Sequence, residues 1–562
     1  MRTIAAEFDA EYYRADNAGV DGPGLDALRH FVLHGAAAMR NPNRWFDMQY
    51  YRDANSDLHV TGFNPFWHYL VQGRAQGRPP RAAGAAQRQA FAGARTGPVR
   101  NPARAPEPMA CLLPASLRAA LEPRLTGAPD ATLCVSHDRY TQAVGGVQIL
   151  VSDEQLAFNA RGGAYLHIAP VTPRLALAPE GEAPFHLHAT LDGTYVGVTT
   201  YADLAAVLNE LQPRLPAARR VVLHCVLGHQ LPQLALLHAA MAPREAVFWV
   251  NDYESLCPGY NLLRNDAVFC GAPPPDSMAC RVCVYGPERA AHLRAFRALF
   301  EAVPMHVVAP SPAALQVWQD GTDLPHLSAQ VHAYAEILPD ADSAGTPAAA
   351  TAAEGNGQAA PAGPALRASR QSRRVRASSV EGASTTAVHV AFVGFPNPHK
   401  GWPAFQALAA RLHGMAGFRL FHFATYAPDA SPPGVEFVQV RVGPGRRGAM
   451  AEALRAAAIE LVLVPSPWPE TFCLVAYEAL AAGADLAALA DGGNVPDLVL
   501  HTGRGVVADD ADALVAWFLS GGAARYAALA AAGPRGTGRL VSRGMTATLA
   551  LPGTPALVPD HP

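Results

Sequence analysis

Apolar positions along the chain fall into two kinds of pattern. The first eighty residues carry helical periods, ALRHFVLHG at 27–35 and PFWHYLVQG at 65–73, each preceded by a tyrosine pair in YYRADNA and YYRDANSD. These stretches are copies of one another. Phe8, Asp9, Tyr12 and Tyr13 recur as Phe46, Asp47, Tyr50 and Tyr51, and His30, Gly35 and Arg40 recur as His68, Gly73 and Arg78, every pair 38 residues apart. A fixed period marks a repeated supersecondary unit, here a helical tandem-repeat module over 5–80. Gly35 and Gly73 read as helix C-caps and the aromatic stripes as core, which leaves the module without chemistry of its own.

From residue 130 the pattern changes. Short apolar runs (ATLCVSHD, RVVLHCV, AVFWVND, MHVVAPS) alternate with helical periods (VQILVSDEQLAFNARG, LPQLALLHAAM, PAALQVWQ). The alternation resumes after residue 386 in AVHVAFVG, AFQALAARL, RLFHFAT, RGAMAEALRAAA, IELVLVPS and TFCLVAYEALAAG. Strands alternating with helices predict parallel sheets covered by helices, so the expected fold class is α/β with two Rossmann-like domains, at 109–339 and 387–532. Ligands of such domains bind at the carboxyl ends of the strands, in the cleft between the halves. Segments 81–108 and 340–386 have linker composition. The second holds Arg367, Arg370, Arg373, Arg374 and Arg376, read as a solvated tether rather than a lipid or nucleic-acid patch. Residues 533–562 are Gly/Pro-punctuated without a helical period and predict an irregular tail.

Charge and composition narrow the function classes. Across 562 residues, 44 basic and 47 acidic side chains give a net charge of −3, which argues against a dedicated nucleic-acid binder. An apolar content of 50% excludes disorder along the whole chain. No unbroken apolar run reads as a signal peptide or a membrane span, and eight cysteines are too few for a disulfide scaffold. The expected location is the cytoplasm.

Candidate chemistry concentrates in IELVLVPSPWPETFCLVAYEALAAG, 459–483. It predicts a strand, a proline-punctuated loop and a helix running from near Thr471 to Gly483. Glu470 then stands at the helix mouth and Glu478 two turns inside. Amides of Thr471, Phe472 and Cys473 at such an N-terminus suit a diphosphate, and carboxylates suit sugar hydroxyls. The plainer alternative is equally open: Glu470 as a helix N-terminal acid and Glu478 as a surface residue.

This segment resembles the E-x7-E motif of retaining glycosyltransferases of family 4, with Glu470 and Glu478 at its two acidic positions. Other pieces follow in the family's order over 130–510. GGVQ (145–148) is similar to its N-terminal glycine loop, APSP (309–312) to its strand-end turn, VGFPNPHKGW (393–402) to its lysine loop, and DGGNVP (491–496) to its second glycine loop. The resemblance implies a GT-B fold and a nucleotide-sugar donor. Glu478 would hold the ribose, Lys400 the diphosphate and Glu470 the transferred sugar, with Thr471, Phe472, Cys473, Gly492, Gly493, Gly145 and Gly146 lining the donor site. Asp252 would orient an acceptor hydroxyl of a glycan or lipid-linked glycan, in surface polysaccharide assembly. No cofactor, catalytic metal, protein nucleophile or nucleic-acid partner is implied, and membrane contact is at most peripheral, at the inner face. Independently of the family, Gly145 and Gly146 would permit positive φ and close approach of a ligand.

The chain departs from that pattern in several places. Phe395 stands where many members carry a basic residue, and Asn251 where histidine is common. His224 and His229 end a strand and face either an acceptor or the core. The loop after Asn251 holds Cys257, Cys270, Cys280 and Cys283, enough for one tetrahedral Zn²⁺, but their spacing is not that of a zinc ribbon and reduced, buried thiols are the expectation. These departures sustain a rival reading, an inactive GT-B scaffold that binds glycan or protein partners.

Overall fold

Runs that are apolar at nearly every position, such as Ala131–Val135 and Leu461–Val464, are buried throughout, as strands covered on both faces must be. The computed structural model describes residues 2–15, 17, 26–43, 45–55, 57–58, 63–81, 110–143, 145–181, 185–281, 283–340, 387–428, 430–443, 446–531 and 536–552. Nearly all of the two expected linkers, the arginine cluster at 367–376 and the end of the tail lie outside the described residues.

The first half contains β1 (Asp130–Val135), β2 (Ala164–Pro170), β3 (His186–Leu191), β4 (Thr194–Thr200), β5 (Ala218–Leu223) and β6 (Glu245–Trp249). A small hairpin of β7 (Leu263–Arg264) and β8 (Val268–Phe269) follows, then β9 (His306–Ala309) and β10 (Ser328–Val331); β11 (Ala335–Pro339) comes next in the chain but lies outside the large sheet of this half. Its large sheet has the order β10-β9-β6-β5-β1-β2-β3-β4 and is parallel from β10 to β2. The antiparallel β3–β4 edge turns through Asp192 and Gly193, both at positive φ. An Asp-Gly pair suits such a two-residue turn.

The second half contains β12 (Val388–Val393), β13 (Phe418–Ala424), β14 (Val435–Gln439), β15 (Leu461–Val464), β16 (Asp485–Leu489), β17 (Gly505–Ala508) and β18 (Gly538–Ser542). Six of these form an all-parallel sheet ordered β14-β13-β12-β15-β16-β17. Counted within that sheet the order is 3-2-1-4-5-6, the doubly wound Rossmann arrangement, with an apolar core on each face. Strand order reverses between β12 and β15 here, and between β1 and β5 in the first sheet. Those are the points where carboxyl ends diverge and leave room for a ligand.

Two expectations about the chain's ends are corrected. The tail is not irregular throughout: β18 pairs antiparallel with β11, so 335–339 joins the second half rather than closing the first. Residues 545–548 then cross to the first half, where Thr546 N–H donates to Glu154 Oε1 at 3.0 Å and Trp249 Nε1 donates to Thr546 Oγ1 at 2.8 Å. Glycine punctuation hid a five-residue strand too short to show a period. Gly538 is required there because a Cβ would lie 2.5 Å from Leu338 O.

The residues that recur at 38-residue spacing make the same contacts twice. Tyr13 OH bonds His30 Nδ1 at 2.9 Å and Tyr51 OH bonds His68 Nδ1 at 3.0 Å, while Asn17 and Asn55 donate to the carbonyls of Tyr13 and Tyr51. Gly35 and Gly73 are not left-handed caps. They close π-helical turns that continue in αR conformation, and a Cβ on either would lie about 2 Å from the tyrosine hydroxyl above it. Among the described residues no helix is long and apolar enough to cross a membrane.

Candidate functional site

A cleft of about 380 Å³ lies where the two strand-order reversals face each other. Loops following β12 and β15 form one wall. The start of helix α1 (Gly146–Ala160), with Asn251 and Tyr334, forms the other. That volume falls within the range of small-molecule sites, roughly 300–1,000 Å³.

Lys400 and Glu470 reach this cleft from different loops and meet there. Lys400 Nζ donates to Glu470 Oε1 at 3.0 Å and Oε2 at 3.1 Å, and Ser466 Oγ donates to Oε1 at 2.7 Å. Burial alone would lower the lysine's pKa, but the Glu470 carboxylate holds it above its ordinary value. The ammonium also lies 5.5 Å from the centre of the Trp468 ring. Neighbouring His399 is pushed down to about 4 by burial and by the Lys400 charge, so it is neutral at physiological pH.

Glu470 does not open the helix that follows it. Helix α2 spans Leu474–Ala482, three residues later than the periodicity predicts, because Cys473 turns the chain at φ 66° immediately before it. Glu470 is held in the loop instead: its N–H donates to Gly492 O at 3.3 Å and its carbonyl accepts from Asn494 N–H at 2.9 Å. Gly492 and Gly493 therefore brace Glu470 rather than line the cleft. Gly493 has φ 67°, and a Cβ there would stand 2.6 Å from Glu470 N and O. Ser311 Oγ donates to Thr471 O, Thr471 Oγ1 donates to Asn251 O, and Tyr253 OH donates to Pro469 O, so the first half grips this loop from outside. Thr471, Phe472 and Cys473 do line the cleft, and the N-terminus of α2 carries no side-chain cap.

Glu478 is not a surface residue. It is 9% exposed, lines the cleft, and makes no hydrogen bond or ion pair among the described residues. Burial pushes its carboxyl up to about 8, against a smaller opposing pull from Arg447. Arg447 is a residue the sequence reading missed. Its guanidinium crosses from the second half to Asp153 of α1 at 2.9 Å and to Ile149 O at 2.7 Å. Arg447 opens the stretch RGAMAEALRAAA, whose helical period gave no sign of a contact across the cleft.

The opposite wall is less charged than the sequence implied. Gly145 and Gly146 line the cleft, but neither has positive φ. Gly145 is extended, and a Cβ there would meet the Gln148 amide at 2.4 Å, whereas one on Gly146 would meet nothing within 4 Å. Asp252 does not line the cleft: Asn251 does, and Asp252 Oδ1 accepts from Glu254 N–H at 2.8 Å. Burial raises Asp252 to about 7. His224 faces the core, stacked on Trp249 and 3.0 Å from Glu154. His229 is buried between Tyr201 OH and Ser136 O. Phe395 does line the cleft, 39% exposed and stacked on Tyr426. Two trios could ligate a metal, the buried Cys134/Glu154/His224 and the largely buried Cys225/Asp252/Glu254, but hydrogen bonds within the protein already occupy Glu154 and Glu254.

No family model matches the chain, and no curated protein does. Among solved structures it is similar to a sucrose-phosphate synthase from Thermosynechococcus elongatus, at 14% identity over 72% of this chain and 93% of that one, TM-score 0.41. It is also similar to HepE from Anabaena in complex with UDP and glucose (14% identity, 73% and 93% covered, TM-score 0.40). A third is WaaG, a glycosyltransferase involved in lipopolysaccharide biosynthesis (12% identity, 71% and 94% covered, TM-score 0.36). At these TM-scores the likenesses bear no weight beyond the strand orders already described.

Proposed function

We propose that the chain is a retaining glycosyltransferase of GT-B architecture, moving a sugar from a nucleotide-sugar donor to a hydroxyl of a glycan or lipid-linked glycan. The observation that carries this reading is Glu478. A buried carboxyl without a partner, open to a cleft, is costly unless something arrives to bond it. A ribose diol supplies two donors to one carboxylate. With the ribose there, the diphosphate lies toward the uncapped N-terminus of α2 and Lys400, and the sugar lies beside Glu470.

The chemistry follows from that placement. The bond between the anomeric carbon and the diphosphate oxygen breaks, and its electron pair stays on the diphosphate. Lys400 and the amides at the start of α2 stabilise that developing charge without reorganising. The acceptor oxygen bonds the anomeric carbon from the same face, and its proton passes to the departing phosphate oxygen. This front-face path needs no protein nucleophile. Lys400 is neutralised by Glu470 in the free protein, so donor binding must draw the ammonium toward phosphate while Ser466 keeps its bond to Glu470.

A second reading, a non-catalytic scaffold, is favoured by Phe395, which puts an aromatic face where a phosphate-binding cation would serve. The two separate in one assay. Nucleotide-sugars based on uridine, guanosine and adenosine diphosphates are incubated with the protein and a panel of glycan and lipid-linked glycan acceptors, and release of the nucleoside diphosphate is followed by phosphorus NMR. Release from one donor, lost in Lys400→Ala, supports transfer; no release from any donor favours the scaffold.

A further inference from the structure

Outside the cleft, Cys257, Cys270, Cys280 and Cys283 form a C-x12-C-x9-C-x2-C segment in the first half. The β7–β8 hairpin folds this segment back, and the short helix Met278–Arg281 returns it, so that all four cysteines line one cavity of about 10 Å³. All four are free thiols. A space of that size holds about one water-sized body, which excludes an organic ligand and suits a single ion.

Charge around the cavity sharpens the choice. Arg264 and Arg289 line it, 6% and 3% exposed, and neither pairs with a carboxylate among the described residues. Arg289 Nε donates to Leu256 O at 3.0 Å and its Nη1 donates to Cys280 Sγ at 2.8 Å. Arg264 Nη2 is buried with no hydrogen-bond partner. Two buried guanidinium ions without a counter-charge are strongly unfavourable. Of the acidic groups lining this cavity, the Tyr285 hydroxyl already donates to Asp266 Oδ1, which leaves the four thiols to supply it.

We propose that Cys257, Cys270, Cys280 and Cys283 bind one Zn²⁺ as a tetrathiolate site, with Arg264 and Arg289 as its neutralising surroundings. Binding releases four thiol protons to solvent and forms four Zn–S bonds with no redox change. The resulting charge of −2 is matched by the two guanidinium ions. Four thiolates are a closed structural set for zinc, which suits a staple and leaves no open position for catalysis. The four sulfurs are not gathered within 4.8 Å of one another. Zn–S bonds of about 2.3 Å place sulfurs about 3.8 Å apart, so loading draws them inward by side-chain rotation. The staple would fix the loop that begins four residues after Tyr253, whose hydroxyl holds Pro469 beside Glu470. The inference does not depend on the glycosyl-transfer reading.

The test uses the full chain, reduced and purified without chelator. Elemental analysis should find one zinc per chain, retained on dialysis, and zinc-edge absorption should show four sulfur neighbours at about 2.3 Å. Substituting Co²⁺ should give thiolate charge-transfer bands. Cys283→Ser should lose most of the zinc, while Cys111→Ser, outside the loop, should keep it. Since a loop variant can misfold, the wild type is also titrated with a thiol reagent: with Zn²⁺ present, these four thiols should react only as zinc is released. The proposal is overturned if reduced wild-type chain given Zn²⁺ binds none. Free reaction of all four thiols, disulfides among them, a nitrogen- or oxygen-rich coordination shell, or iron with labile sulfide in place of zinc would overturn it equally.

Discussion

The two sheets share a parallel core with one strand-order reversal but give the cleft walls of opposite chemistry. On the second half's wall, Lys400, Glu470 and Glu478 face the cavity, and one carboxyl is unpartnered. In the first half Glu154 and Glu254 lie behind the wall and are hydrogen-bonded within the protein. Glu154 accepts from Tyr165 OH at 2.7 Å and Thr546 N–H at 3.0 Å and lies against His224, while Glu254 accepts from the amides of Val226 and Leu227. Burial pushes Glu154 up, but His224, Thr546 and Tyr165 together bring it below its ordinary value. A buried carboxylate with all its partners is a strut, and one without is a binding group.

The largest effect expected from breaking this contrast is on the strut. Glu154→Ala leaves His224 and the Thr546 amide without their buried partner and should cost about 3–5 kcal/mol of stability by denaturant melting, while nucleotide affinity of the folded fraction stays unchanged. Lys400→Ala should do the reverse in kind: a fall of about 10²–10³ in transfer rate, by loss of leaving-group stabilisation. Adding Glu470→Gln should recover the stability lost with the ion pair and none of the rate, which separates the pair's two roles in one comparison of melting and turnover.

Smaller effects test the supports. Gly493→Ala forces a Cβ against the Glu470 backbone at positive φ and should cost more than about 1 kcal/mol, with a loss of turnover that Gly127→Ala, which meets nothing within 4 Å and lies outside the cleft lining, does not share. The smallest effect is one of pH. Below about 8 the Glu478 carboxyl is protonated, so its capacity to accept from a ribose diol grows as pH rises. Nucleotide affinity by calorimetry should strengthen from about pH 6 to about pH 9, by at most tenfold per unit, and stay flat in Glu478→Gln. In the free protein the sign is opposite: the raised carboxyl contributes stability that is fully present below its unfolded pKa near 4 and lost as pH rises toward about 8.

Much of the site was legible because it is local. The strands ending at Val393 and Val464, the lysine loop, and the Glu470–Glu478 spacing are each written within a dozen residues. What escaped depends on single backbone conformations and on contacts distant in sequence. Cys473 delays the start of α2 through one left-handed residue, and β18 shows its meaning only against β11. Arg447 matters because Asp153 lies 294 residues away. Asp252 and His224 stand at strand ends, where a side chain facing an acceptor and one used within the protein read alike in sequence; the fold buries His224 and turns Asp252 to the Glu254 amide. The cysteine spacing fits no standard ribbon, and only the fold sets Arg264 and Arg289 beside it.

The central claim, that Glu478 is a ribose-binding carboxylate in a donor site, is tested most directly by calorimetric titration of UDP, GDP and ADP into the wild type and Glu478→Ala. At about pH 9, where Glu478 is ionised, the account predicts saturable binding of one nucleotide, weakened about 10- to 100-fold in the variant, as expected for loss of hydrogen bonds to a charged group. Equal affinity in both proteins, or no binding of any nucleotide by folded wild type, would contradict it.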